Sequence, residues 1–337
     1  MAVKVAINGF GRIGRLVLRA IVERGRDDIE PVAINDLGSV EANAHLLRYD
    51  SVHGRFPGTV EVSGDSITIR HNGRVWGPIR VSAERDPTKA PYAGIDVAME
   101  CTGLFTTKAT ASQLLAAGAR KVLVSAPADG ADATVVFGVN QGVMTADMTV
   151  VSNASCTTNC LVPMVKVLHD NFTVLRGYML TCHSYTGDQR TVDTLHKDLH
   201  RARAAAVSMI PTSTGAAKAV GLVMPELRGK LDGTAIRVPT PNVSMVSLDV
   251  MLAKKPGREE INAAMRAAST GALAGILDYN TEPLVSTDFN HVAASCTFDA
   301  TQTAVVDGEL FRVLGWYDNE WGFSNRMADT AALLGSL

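Results

Sequence analysis

Apolar positions along the chain recur with two periods in turn, and the switches between them mark the elements. Residues 3–7 (Val-Lys-Val-Ala-Ile) form a short β-branched run that stops at a glycine cluster. Residues 13–24 then carry apolar side chains at helical spacing without a proline, so the opening predicts strand, turn, helix. A second apolar run at 29–34 ends in Asn35-Asp36 and closes a βαβ unit near residue 36. The alternation continues with a strand at 95–99, a helix at 107–117 and a strand at 121–124, as expected of a mostly parallel sheet covered by helices. Between them, 59–81 alternates and carries turn signals such as Ser-Gly-Asp and His-Asn-Gly-Arg, which predicts added antiparallel strands. From about residue 155 the pattern changes to a long helix (157–169), a strand (178–183), an Arg-rich polar segment (187–206) and further strands such as 244–253. A last helix is predicted at 324–334.

At 337 residues the chain is longer than a single core usually supports. The expected architecture is α/β, with an N-terminal dinucleotide-binding domain at 1–153, a C-terminal α+β catalytic and oligomerisation domain at 154–320, and a terminal helix, 321–337, docking back on the first. The 32 basic and 34 acidic residues nearly cancel to a net charge of −2. That balance argues against an obligate nucleic-acid or membrane-surface partner, which a concentrated positive field normally serves. A small molecule is the expected partner. No apolar run is long enough for a bilayer span and no leader pattern is expected ahead of the first strand. Five cysteines, at 101, 156, 160, 182 and 296, lack the spacing of a small secreted scaffold, which favours a reducing, cytoplasmic location.

Asn8-Gly9-Phe10-Gly11-Arg12-Ile13-Gly14 fits G-x-G-x-x-G between a predicted strand and a predicted helix. In that context Gly9 serves the tight turn, Gly11 lets the backbone approach a pyrophosphate, and Gly14 lets the helix lie close on the strand. The helix N-terminus adds anion-stabilising N–H groups. Asp36, about twenty residues on, is placed to accept from a ribose 2′-hydroxyl and to repel a 2′-phosphate, favouring NAD over NADP. These features predict a Rossmann domain.

Cys156 falls where small polar residues, Ser152-Asn153-Ala154-Ser155, feed into the long helix. A thiol at a helix start is expected to have a lowered pKa and to act as a nucleophile, with His183 as its partner. A buried structural cysteine is the plain alternative. A zinc site built from Cys156, Cys160, Cys182 and His183 is disfavoured by its spacing, so no metal is expected. Cys160 reads as packing or a local redox partner, and Cys101 and Cys296 as core.

Several segments then resemble the glyceraldehyde-3-phosphate dehydrogenases: Ile7-Asn-Gly-Phe-Gly-Arg-Ile-Gly-Arg15, Ser155-Cys-Thr-Thr-Asn-Cys160, His183-Ser-Tyr-Thr-Gly-Asp-Gln189, Pro211-Thr-Ser-Thr-Gly-Ala-Ala-Lys218, Arg237-Val-Pro-Thr-Pro-Asn-Val243 and Trp316-Tyr-Asp-Asn-Glu-Trp-Gly322. The resemblance runs from end to end. It implies phosphorylating oxidation of glyceraldehyde 3-phosphate to 1,3-bisphosphoglycerate with NAD, through a thioester on Cys156 and with His183 as base. It further implies that Thr186 and Arg237 meet the substrate phosphate, and that Ser155, Thr157, Thr214, Gly215 and Arg201, with Arg203 as rival, meet inorganic phosphate. Cofactor contacts carried over are Arg12, Ile13, Asp36, Arg85, Ser125 and Asn319, the last toward the nicotinamide carboxamide.

Two positions depart from the common pattern. Thr194-Leu195 stands where many NAD-specific members have Leu-Pro, which weakens the exclusion of NADP, and Phe323 replaces a frequent tyrosine. The polar segment beyond residue 187 would lie at a subunit interface, so the resemblance implies a homotetramer. The alternatives are an erythrose-4-phosphate dehydrogenase, which needs no inorganic-phosphate site, and a non-catalytic NAD-binding regulator, which needs no activated thiol.

Overall fold

The computed structural model describes residues 2–337. The chain divides into two compact units, one built from the segments ending at Phe137 and Ser155 together with Ser324–Leu337, the other from Gly138–Asn140 and Cys156–Phe323.

The first unit carries a nine-stranded sheet. Its order is Ala133–Thr134, Val150–Ser152, Lys121–Val124, Val97–Glu100, Val3–Asn8, Ile29–Asn35, Arg74–Ser82, Ser66–His71, Thr59–Ser63. The first seven run parallel and the last two add antiparallel strands, as the alternation predicts. Strands Val3–Asn8, Val97–Glu100, Lys121–Val124 and Val150–Ser152 are buried along nearly their whole length, which is why they read as apolar runs. Helix Arg12–Glu23 begins three residues after the turn glycine at position 9. The predicted helix at 107–117 is instead two short pieces, Lys108–Ala111 and Gln113–Ala116. Ser112 separates them, and its hydroxyl donates to the Lys108 carbonyl, a local bond that competes with regular helix. Within this unit the C-terminal helix is tied down by Arg26, which pairs with Asp329 at 2.5 Å, and by Thr330, whose hydroxyl donates to Asn153 at 2.8 Å.

The second unit carries a mixed sheet in which the longest strand, Val174–Ser184, is an interior one. It pairs in parallel with Leu231–Val238 and antiparallel with Ser244–Leu252, which in turn pairs with Leu310–Tyr317. Register sets His183 beside Arg237 and Ser244 beside Tyr317. Helix Cys156–Phe172 lies on this sheet and buries Leu161, Val162, Met164, Val165 and Leu168 completely. Among the described residues no helix is long and apolar enough to cross a membrane.

A side chain at Gly14 would collide with the Gly9 carbonyl oxygen and press on Ile7 Cγ2, so only glycine lets the first helix seat against the first strand. Gly14→Ala is therefore expected to cost about 3 kcal/mol, the upper part of the overpacking range, because backbone cannot give way as a side chain can. The shift in denaturation midpoint measures it, and an unchanged midpoint would contradict the close approach.

Candidate active site

The cofactor turn sits at the carboxyl ends of the parallel strands, where ligands of open α/β sheets bind. A cavity of about 320 Å³ there is lined by Asn8, Gly9, Gly11, Asp36, Arg85 and Thr102, among others. Gly9 adopts φ +89°, and a Cβ on Gly11 would meet nothing within 4 Å, so the backbone at Gly11 faces open space. Asp36 Oδ2 accepts from the Phe10 N–H at 2.8 Å and Oδ1 from the Gly38 N–H at 2.9 Å, which fixes the carboxylate on the cavity wall. An open cradle beside a held carboxylate fits a dinucleotide with a free ribose hydroxyl. Ile13 lies in the first turn of the helix, and Arg12 is drawn to Asp50, 2.6 Å away. Ser125 follows strand Lys121–Val124, and its N–H donates to the Glu100 carbonyl. Glu100 is a buried carboxylate absent from the sequence reading. It accepts from Asn8 Nδ2 and from the Thr102 N–H and hydroxyl, and burial pushes its carboxyl up against those donors.

In the second unit Cys156 is the first residue of its helix, and its Sγ lies 3.4 Å from His183 Nε2. Cys156 as a residue is half-buried. His183 is buried, and its Nδ1 lies 2.7 Å from the Ser184 carbonyl oxygen. Nδ1 also lies 2.5 Å from Arg237 Nη1, which can only donate. The tautomer that carries its proton on Nδ1 and gives it to the carbonyl is the one that leaves Nε2 as an acceptor facing the thiol. Arg237, the register neighbour of His183, donates to the same carbonyl at 3.0 Å. Burial, with the positive charges of Arg237 and Arg201, lowers His183 to about 3, so the imidazole is neutral at physiological pH.

The expectation of a lowered thiol pKa is corrected here. Burial pushes Cys156 up; the Arg237 charge and the donors on Thr157 and the Cys156 backbone pull it down without offsetting burial. The helix start alone does not decide the matter, because dense surrounding protein penalises the thiolate more than one helix end favours it. Cys160 is buried beneath, and burial pushes its thiol well up.

The anion-binding candidates are spread around this pair. Arg237 Nε is buried without a hydrogen-bond partner, an orphan that fits an anion. Arg201 donates twice to Thr212 Oγ1, at 3.0 and 2.8 Å, and pairs with Asp188 at 2.5 Å. Its charge acts on His183, whereas Arg203 is drawn to Asp193 on an exposed stretch. That favours Arg201 over its rival. Thr186 is turned toward Gln189 through both N–H and hydroxyl. Thr214 accepts from the Ala216 N–H, and Gly215 caps helix Ala216–Val223. The Thr157 hydroxyl lies 2.9 Å from the Tyr317 hydroxyl, which leaves its backbone N–H as the group for an anion. Ser155 directly precedes the helix. Asn319 Oδ1 accepts from the hydroxyls of Ser184 and Ser244.

Tyr317, Thr212, Ser184 and Ser244 were not singled out from sequence. Tyr317, Thr212 and Ser184 lie inside the recognised motifs, and that was their only signal. Among the described residues no group of three or more potential metal ligands comes together.

A family model for the NAD binding domain of glyceraldehyde 3-phosphate dehydrogenase matches residues 3–108, and one for its C-terminal domain matches residues 155–319. The chain is 64% identical over its full length to the glyceraldehyde-3-phosphate dehydrogenase of Cereibacter sphaeroides, covering all of that protein, and 64% identical to that of Xanthobacter flavus with the same coverage. It is 55% identical to the one from Geobacillus stearothermophilus, with 100% of this chain and 99% of that protein covered.

One substitution separates the two electrostatic effects of Arg237. Arg237→Gln is expected to raise the pH at which Cys156 is alkylated and to raise His183 from about 3 toward its ordinary 6.5. A depressed histidine costs stability as pH falls, because below 6.5 the unfolded chain takes up a proton that the folded one refuses down to about 3. The variant should therefore lose less stability across that window. Alkylation profiles and ring-carbon NMR titration check both shifts; movement of either in the opposite direction would refute the assignment.

Proposed function

The chain belongs to the glyceraldehyde-3-phosphate dehydrogenase family, and from that premise we propose that it oxidises D-glyceraldehyde 3-phosphate with NAD and inorganic phosphate to 1,3-bisphosphoglycerate, reversibly, in glycolysis and gluconeogenesis. The observation that carries this reading is the 3.4 Å contact between Cys156 Sγ and a neutral, carbonyl-anchored His183.

The chemistry follows from those two groups. His183 Nε2 accepts the thiol proton, and Sγ attacks the aldehyde carbon to give a thiohemiacetal. The same imidazole returns the proton to the new oxygen and removes it again as the carbon is oxidised. NAD, when bound, supplies the hydride acceptor. The product on the protein is a Cys156 thioester. Phosphate then attacks its carbonyl, and the carbon–sulfur bond breaks to release the acyl phosphate and the thiol. A histidine that stays neutral down to about pH 3 is available as an acceptor at the start of every cycle.

Arg237 and Thr186 serve the substrate phosphate in this reading, and Arg201, Thr214, Gly215, Ser155 and the Thr157 backbone serve inorganic phosphate. Arginine suits both sites because its planar fork holds phosphate bidentately. Gly9, Gly11, Arg12, Ile13, Gly14, Asp36, Arg85, Ser125 and Asn319 serve NAD. Residues 1–153 make the NAD domain, 154–320 the catalytic and oligomerisation domain, and 321–337 a helix returning to the first. Five free cysteines favour a cytoplasmic setting.

A homotetramer is supported by the segment after residue 187, where Val192, Leu195, Leu199, Val207 and Met209 are all exposed, Leu195 by 90%. Leu199→Asp is expected to shift assembly to smaller species by light scattering. An unchanged mass would remove this segment from the interface.

Initial rates test the reaction. NADH formation from glyceraldehyde 3-phosphate should require inorganic phosphate and prefer NAD to NADP, and Cys156→Ala should lower kcat/KM by roughly a thousandfold or more. Turnover that is indifferent to phosphate, or that survives loss of the thiol, would overturn the mechanism.

A further inference from the structure

The side chain of Asn319 is oriented by the protein itself. Asn319 is buried just beyond strand Leu310–Tyr317, and its Oδ1 accepts from Ser184 Oγ and from Ser244 Oγ, each at 2.8 Å. Both serines are buried too. Counting protons decides which end of the amide faces inward. Ser244 Oγ already accepts from the Ser184 N–H at 3.0 Å, so its own proton is free for Asn319. With the oxygen inward, that N–H and both hydroxyl protons all have acceptors. With the amide reversed, both hydroxyl protons would face an amino group; the long 3.5 Å bond from Ser244 Oγ to Ser184 Oγ could take one of them, and the Ser184 hydroxyl proton would be left without an acceptor.

We propose that Ser184 and Ser244 are positioning residues that lock the Asn319 amide with Nδ2 outward, so that the chain recognises the cofactor carboxamide through its carbonyl oxygen and not through its amino group. The inference rests on the reading of Asn319 as the carboxamide contact. Ser184 is suited to the task because its backbone is held as firmly as its side chain: its carbonyl accepts from Arg237 and lies 2.7 Å from His183 Nδ1.

Calorimetric titration of the ligand-free enzyme tests this with two ligands, NAD and 3-acetylpyridine adenine dinucleotide. The analogue keeps the carbonyl on the pyridine ring and replaces the amino group by methyl. The parent chain should bind the two within about threefold, since the contact it makes is common to both. In Ser184→Ala/Ser244→Ala the amide is free to turn. Its oxygen can then accept from the amino group of NAD but finds only methyl on the analogue, so preference for NAD should rise roughly three- to tenfold. Ser244→Ala alone should show a smaller rise in the same direction and serves if the double variant fails to fold. General loosening of the fold would weaken both ligands in parallel and leave their ratio fixed. A parent chain that prefers NAD tenfold, or serine variants with an unchanged ratio, would overturn the proposal. Asn319→Ala separates the premise: unchanged affinity for both ligands would show that Asn319 does not meet the carboxamide at all.

Discussion

The geometry of the Cys156–His183 pair depends on one phenol. The Tyr317 hydroxyl is buried between Thr157 Oγ1 at 2.9 Å and Thr181 Oγ1 at 3.0 Å, so it joins the first turn of the helix that starts at Cys156 to the strand that carries His183. Thr157 follows Cys156, and Thr181 precedes His183 by two residues on the same face of its strand. Fixing those two threonines against a common atom fixes Sγ against Nε2. The Tyr317 ring also meets the imidazole edge-to-face, with centroids 5.9 Å apart, and so limits its rotation. Burial and the nearby thiols push the phenol far above its ordinary titration range, so it remains a hydroxyl that can donate to one threonine while accepting from the other. A buried polar network of this kind is stable only when every member is satisfied, which makes it specific as well as costly to disturb.

Charge then decides what the pair can do. A histidine next to two arginines could not serve as a base if it had to stay protonated; burial, with the charges of Arg237 and Arg201, keeps it neutral. Arg237 acts in the same direction on the thiol, lowering it, but burial outweighs it. A raised thiol beside a lowered imidazole favours a proton moving from sulfur only as the substrate arrives, in place of a permanent ion pair. Reactivity thus depends on burial and on Arg237 more than on the helix end, since a helix dipole is worth only about 0.3–1 kcal/mol at an ordinary site.

The parallel core of the first unit was legible because its strands are buried on both faces and its glycines mark the turn. The strand at 121–124 and the antiparallel additions at 59–81 emerge as read. Where reading failed, a local bond or a distant partner was responsible. Ser112 divides one predicted helix through its own hydroxyl, a competition that periodicity does not register. The thiol pKa was misjudged because helix position is visible in sequence and burial is not. Tyr317 and Thr157 are 160 residues apart, and Ser184 and Asn319 are 135 apart. Each is an unremarkable polar residue until the sheet brings it to its partner, so motif membership could flag the segment without revealing the bond.

That contrast explains why short motifs in this chain carry so much. A strand presents alternate side chains to opposite faces, and its backbone groups to its neighbours, so consecutive residues at a strand end can serve different tasks at no cost in length. At His183-Ser184 the imidazole faces the thiol, the serine carbonyl lies against the imidazole Nδ1 and receives Arg237, and the serine hydroxyl turns away to hold Asn319. Moving either residue by one position would exchange the two faces and break all of these bonds together. The constraint therefore falls on register rather than on any single contact, and the pairing of His183 with Arg237 and of Ser244 with Tyr317 is what enforces it.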